Sequence, residues 1–93
     1  MTLPDGFRIE RVEPRHGPVE FQVYEEGGPT WKDGSPRDVV TVEVWPGWDG
    51  VRPKTVSWPS TSDKRPVLAM ALACALAMAA EEAMQPQPTK GSP

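Results

Sequence analysis

His16 is the residue best suited to acid–base chemistry, because it is the single histidine among the 93 residues. Glu13 lies close to it in the sequence and could orient its ring, as in a catalytic pair. No serine or cysteine in the same proline-bounded turn could serve as the nucleophile that such a base activates. We therefore interpret His16 as an exposed turn residue and predict no catalytic residue.

Metal and phosphate sites have equally little support. One histidine and the single cysteine, Cys74, cannot supply the ligands of the usual zinc sites, and Asp33 and Asp38 are too sparse for a calcium loop. The glycine pair Gly27 and Gly28 lacks the Lys-Ser/Thr step and the helix that follow a phosphate-binding loop. We predict that the protein is not an enzyme and holds no metal and no cofactor.

Aromatic and basic side chains alternate in one part of the chain. Arg52 and Lys54 lie between Trp48 and Trp58, and Trp45 precedes them. Stacking rings beside cations on a sheet are typical of proteins that bind single-stranded nucleic acid. Acidic residues interrupt the pattern, however, and the net charge of the chain is -3. Nucleic-acid binding is therefore kept as the alternative function.

Residues 63–84 form the longest apolar stretch, and they are rich in the strong helix formers Ala, Leu and Met. The step from Gln85 to Pro86 ends the predicted helix, because a residue before proline avoids helical geometry. At the helical period the large apolar residues fall into two stripes. One stripe contains Leu68, Leu72, Ala75, Leu76, Ala79 and Ala83, and the other contains Val67, Met70, Cys74 and Met78.

This predicted helix has no polar side, because only Glu81 and Glu82 bring charge near its end. A helix that covers a sheet and faces water has a polar back, so we expect both sides to contact protein. Either the chain encloses the helix by itself, or the leucine stripe packs on the chain's own sheet and the other stripe docks on a partner. No membrane span is expected, because the apolar run falls short of about 20 residues.

Four segments before this helix have the pattern of β-strands. Residues 7–13 and 19–25 alternate between apolar and polar side chains, residues 39–45 are rich in valine, and residues 54–58 lie between two prolines. Consecutive strands with short connections form an antiparallel meander. We predict an α+β domain over residues 1–84, with a four-stranded antiparallel sheet and one C-terminal helix on one face. Residues 85–93 are predicted to be a disordered tail.

The composition is that of one small domain of a soluble protein. The sequence pI is about 5.0, so the chain as a whole has no attraction for nucleic acid. A single cysteine excludes an internal disulfide, and the first residues lack the basic and apolar segments of a signal peptide. We expect a cytoplasmic protein.

Binding to another protein is the function that these patterns favour. The apolar helix and the four tryptophans of the chain are typical of interfaces. The partner is expected to be another protein or a second copy, as a homodimer through the helix. The predicted contact residues are Met70, Cys74 and Met78, followed by Trp31, Trp48, Arg52 and Lys54.

In size and in its turn-rich, cofactor-free composition, the chain resembles the small accessory proteins that phages and other mobile elements encode. Some of those proteins dock on a larger host complex and inhibit it, as anti-CRISPR proteins do. The resemblance is one of general character. It covers no motif and assigns a role to no residue.

Overall fold

The computed structural model describes residues 2–45 and 50–85. They form strands β1 (Phe7–Val12), β2 (Val19–Glu25), β3 (Val40–Trp45) and β4 (Gly50–Val56), a single 3-10 turn (Ser62–Lys64) and helix α1 (Arg65–Met84). The strands make one antiparallel sheet in the order β1-β2-β3-β4, and α1 packs on one of its faces. The predicted two-layer α+β fold is confirmed.

The core lies between α1 and the two central strands. Alternation along β2 directs Phe21 and Val23 toward the helix, and the register places them opposite Val42 and Val40 of β3. All four side chains are buried, and each contributes about 1.5–3 kcal/mol by leaving water. The helix contributes Leu68, Ala71, Ala75 and Ala79 to this core. Three of these four are alanines, so the helix can lie close to the sheet.

The fourth strand differs from its prediction. It begins at Gly50 rather than at residue 54, and it includes Pro53. An edge strand tolerates proline where no ladder partner needs its missing N–H, and the register of β4 shifts at this place. Trp58 was expected in phase with Val56 on this strand, but it lies beyond the strand end and is 51% exposed.

Two further predictions fall outside the described residues. Trp48 belongs to residues 46–49, and all but the first residue of the predicted disordered tail belongs to residues 86–93.

An ion pair joins the edge strand β1 to the last turn of α1. Arg11 donates two hydrogen bonds to Glu82, from Nε to Oε1 at 2.9 Å and from Nη2 to Oε2 at 3.1 Å. These hydrogen bonds lower the pKa of Glu82 below its ordinary value of 4.5. A carboxylate whose pKa is lowered by folding stabilises the protein above its unfolded pKa, and this contribution is lost as pH falls through the folded pKa.

We therefore expect Glu82→Gln to lower the free energy of unfolding at pH 7 by no more than about 1 kcal/mol, as is usual near a protein surface. The difference from the wild type should begin to shrink below pH 4.5, where the unfolded carboxylate becomes neutral, and disappear as the pH falls through the lower pKa of the folded state. Urea unfolding at pH 7 and at a pH near 3 measures both values. Glu81→Gln, measured at low protein concentration, is the matched control, since Glu81 has no ion pair within the described residues. An equal loss at both pH values would contradict the assignment.

Candidate protein-binding surface

Helix α1 has two faces of different exposure. We call Leu68, Ala71, Ala75 and Ala79 its inner face; all four are buried against the sheet. We call the opposite side its outer face. It consists of Pro66, Met70, Ala73, Ala77, Ala80 and Met84, and none of these six side chains is buried.

The outer face is apolar although it faces water in the isolated chain. Met70 is 47% exposed and Met84 is 76% exposed. Ala69, Val67 and Met78 beside this face are exposed too, the last two at 40% and 41%, so they widen this apolar surface. Of the two arrangements expected for this helix, residues 2–45 and 50–85 do not show enclosure within the chain. These described residues cover the inner face and leave the outer face open.

The predicted contact residues Met70, Cys74 and Met78 do not share one exposed surface. Cys74 is buried, with 5% of its surface exposed, whereas Met70 is 47% and Met78 is 41% exposed. Cys74 and Met78 line a shallow cavity with Leu3 and Ile9, and this cavity also reaches Glu81 and the outer-face residue Ala77. Only Met70 belongs to the outer face. The alanines beside it were overlooked, because alanine suits any helix position and gives no signal of its own.

An aromatic residue and a cation extend the exposed surface at the start of α1. Trp58 and Arg65 line the same open pocket, and Trp58 is exposed. Arg65 Nε donates to the carbonyl oxygen of Pro59 at 3.3 Å, which holds the guanidinium near the first turn of the helix. Trp58 was predicted to lie among rings on the sheet, whereas it lies beside the start of α1.

The second face of the sheet, which we call the open face, is polar and internally paired. Glu20 and Glu43 lie directly opposite each other on β2 and β3. Like charges in this position repel, so each glutamate needs a cation. Lys54 Nζ lies 3.1 Å from Glu20 Oε2, and Arg52 Nε lies 3.3 Å from Glu43 Oε1. The pair with Glu20 raises the pKa of Lys54.

Trp45 takes part in the same network. Its Nε1 donates to Glu43 Oε1 at 3.2 Å, and the guanidinium of Arg52 lies over its ring at 5.6 Å from the centroid. The guanidinium of Arg8 likewise lies over the ring of Tyr24, at 4.6 Å from its centroid. The predicted contact residues Arg52 and Lys54 thus lie together on the open face, where nearby carboxylates neutralise both charges.

Trp31 lies in the loop between β2 and β3, away from the core. It is 54% exposed, and Arg37 stacks over it at 5.1 Å. Asp33 accepts hydrogen bonds from the hydroxyl and the backbone N–H of Ser35, which shape the turn and lower the pKa of Asp33. The ring therefore stacks with a cation of its own loop.

The described residues contain few groups that could do chemistry. Within residues 2–45 and 50–85, no three side chains of His, Cys, Asp or Glu lie close enough to hold a metal ion. His16 is exposed in the turn between β1 and β2, as predicted.

The expectation that this apolar run is too short for a membrane span is wrong, because the segment Ser62–Met84 is long and apolar enough to cross a membrane. A mostly buried core helix of a soluble protein meets the same criterion, but only 28% of the apolar 18-residue stretch of this segment is buried. Leu68, Ala71, Ala75 and Ala79 lie on this segment and are buried against the sheet.

Comparison with known proteins found no relative of this chain: no protein-family model matches it, and neither does any curated protein or any solved structure.

Proposed function

We propose that this chain is a non-enzymatic protein-binding module and that the outer face of α1 is its binding surface. The observation that carries the proposal is the exposure of this face, which is apolar from Pro66 to Met84. A water-facing helix of a small domain normally has a polar back. Contiguous exposed apolar surface on a soluble domain usually marks an interaction site.

A polypeptide suits this surface better than a lipid bilayer. For α1 to span a bilayer, its inner face would have to leave the sheet, and Phe21, Val23 and Val42 would lose their cover. Helices that lie flat on membranes carry Lys and Arg along their polar side. The basic residues of this segment are confined to Arg65, the first residue of α1, and Lys64, the residue before it. The other end of the helix is acidic.

Single-stranded nucleic acid is the less favoured ligand. Its predicted site used Trp45, Trp58 and Trp48 with Arg52 and Lys54. The two cations lie beside Glu43 and Glu20, and the Arg52 guanidinium covers the Trp45 ring that a base would have to stack on. A nucleic acid would have to break these ion pairs before its phosphates could contact Arg52 and Lys54, or before a base could stack on Trp45. An accessory role, in which the module docks on a larger host complex and inhibits it, stays a prediction about the partner.

Site-specific photo-cross-linking in the cells that produce the chain tests the proposal. We expect benzoylphenylalanine at Ala77, which is exposed on the outer face, to give covalent adducts with polypeptide. The same group at Lys32, exposed in the β2–β3 loop, is the matched control and should give few adducts. Mass spectrometry identifies the cross-linked species.

The outcomes separate the possible ligands. Polypeptide adducts specific to position 77 support a protein-binding surface. Lipid adducts from position 77, together with recovery of the chain in the membrane fraction, would contradict the proposal. Equal adduct yields from positions 77 and 32 would also contradict it, because the outer face would then bind polypeptide no better than an exposed loop does.

A further inference from the structure

We propose that the partner of the outer face is a second copy of this chain, whose α1 packs antiparallel to the first. This inference rests on the proposed function and names the partner of the same surface. Three properties make the outer face complementary to a second copy. They are the spacing of its residues, the order of their sizes, and the charges at the two ends of the helix.

The spacing is that of a coiled-coil seam. The residues of the outer face follow one another at intervals of four, three, four, three and four, from Pro66 through Met70, Ala73, Ala77 and Ala80 to Met84. This alternation keeps one stripe facing a partner helix along its whole length. Three alanines among the six would allow the two helices to approach at the short end of the 8–10 Å range of helix packing.

The order of sizes selects the antiparallel direction. We pair two outer faces so that the two helices cross at the level of Ala75, half-way between Pro66 and Met84. Met84 of one copy then lies opposite Pro66 of the other. Met70 then lies opposite Ala80, and Ala73 lies opposite Ala77. Each methionine therefore meets a smaller residue. A parallel pair would instead place methionine against methionine and alanine against alanine, which alternates crowded layers with empty ones.

The charges at the helix ends give an independent indication. Lys64 and Arg65 stand at the start of α1 and Glu81 near its end, all exposed. This order is unfavourable for a lone helix, because cations are disfavoured at the N-terminus and anions at the C-terminus. In the antiparallel pair, Glu81 of each copy lies opposite Ala69 of the other, about one helical turn from its Arg65, so the basic start of each helix attracts the acidic end of the other without a direct ion pair. A parallel pair would bring like charges together.

The size of the seam sets the expected strength. From Pro66 to Met84 it is about 27 Å long at 1.5 Å per residue, so it covers less than the roughly 800 Å² per partner of a standard interface. We therefore expect a dimer with a dissociation constant on the order of 10–100 µM.

Sedimentation equilibrium of the full chain, from about 1 µM to about 1 mM, tests the pairing through charge exchange. Glu81→Lys alone should weaken the dimer about tenfold, since the attraction between helix ends occurs twice, and the double variant Lys64→Glu, Arg65→Glu should do the same. Combining all three changes should restore the dissociation constant to within about threefold. Met70→Lys should weaken the dimer at least about 100-fold. Thermal unfolding at low concentration checks that each variant folds.

Restoration in the triple variant supports the antiparallel pair, because a merely structural effect of the single changes would add instead of cancelling. A chain that stays monomeric up to about 1 mM overturns the inference. A dimer that Glu81→Lys leaves unchanged, or that the triple variant weakens further, also overturns it. The proposed function has a separate outcome: a monomer that still cross-links from position 77 to a different protein keeps the binding surface and loses only the second copy as its partner.

Discussion

Ala75→Lys is expected to lower the free energy of unfolding by about 3–5 kcal/mol, because it places an unpaired charge in the core. Ala75 is fully buried between α1 and the sheet. No carboxylate is available beside it in the described core, whose members are all apolar. Small domains are stable by only about 5–15 kcal/mol, so this loss is a large part of the total stability.

Ala73→Lys is the matched control for this prediction. It makes the same change two residues earlier on the same helix, but on the outer face, where the ammonium group can reach water. We expect its stability at low concentration to change by less than about 0.5 kcal/mol, which is the difference in helix propensity. Urea unfolding followed by circular dichroism measures both variants. Equal losses would mean that the outer face is also core.

Phe21→Ala is expected to lower the free energy of unfolding by about 3–5 kcal/mol. Phe21 lies on a central strand opposite Val42, with 3% of its surface exposed, and it packs in the cluster that includes Leu68. Removing its ring leaves a cavity between two layers that strand pairing holds in place, so the surroundings can close only partly.

Phe7→Ala provides the comparison within the same sheet. Phe7 lies on the edge strand β1 and is only partly buried, so its loss should cost less than about 2 kcal/mol. Chemical denaturation gives both values from the shift in midpoint at constant slope. A larger loss for Phe7 than for Phe21 would contradict the placement of the core over the central strands.

The strands were predictable because alternation and turn residues act locally. Val19, Phe21 and Val23 point to one face whatever the rest of the chain does. The fourth strand was less predictable, since Pro53 argues against a strand until its edge position is known. Trp58 is exposed because β4 ends at Val56, before the sheet reaches it.

The candidate surface was predicted only in part. Large side chains led to the choice of Met70, Cys74 and Met78, but a sheet beneath the helix decides which of them stay exposed. The sheet and the segment around Leu3 cover Cys74, and this arrangement depends on tertiary packing. The alanines Ala73 and Ala77 carry no signal by size. They become informative once the buried side of the helix is known.

The most direct test of the outer face as a self-complementary binding surface is methyl NMR of the chain with labelled methionines. The sequence has four methionines, of which Met70 and Met84 lie on the outer face and Met78 on its flank. On raising the concentration through the range of the expected dissociation constant, the methyl signals of Met70 and Met84 should shift together while that of Met78 moves little. Signals of Met70 and Met84 that stay fixed at every concentration, or a shift confined to Met78, would contradict the self-complementary surface.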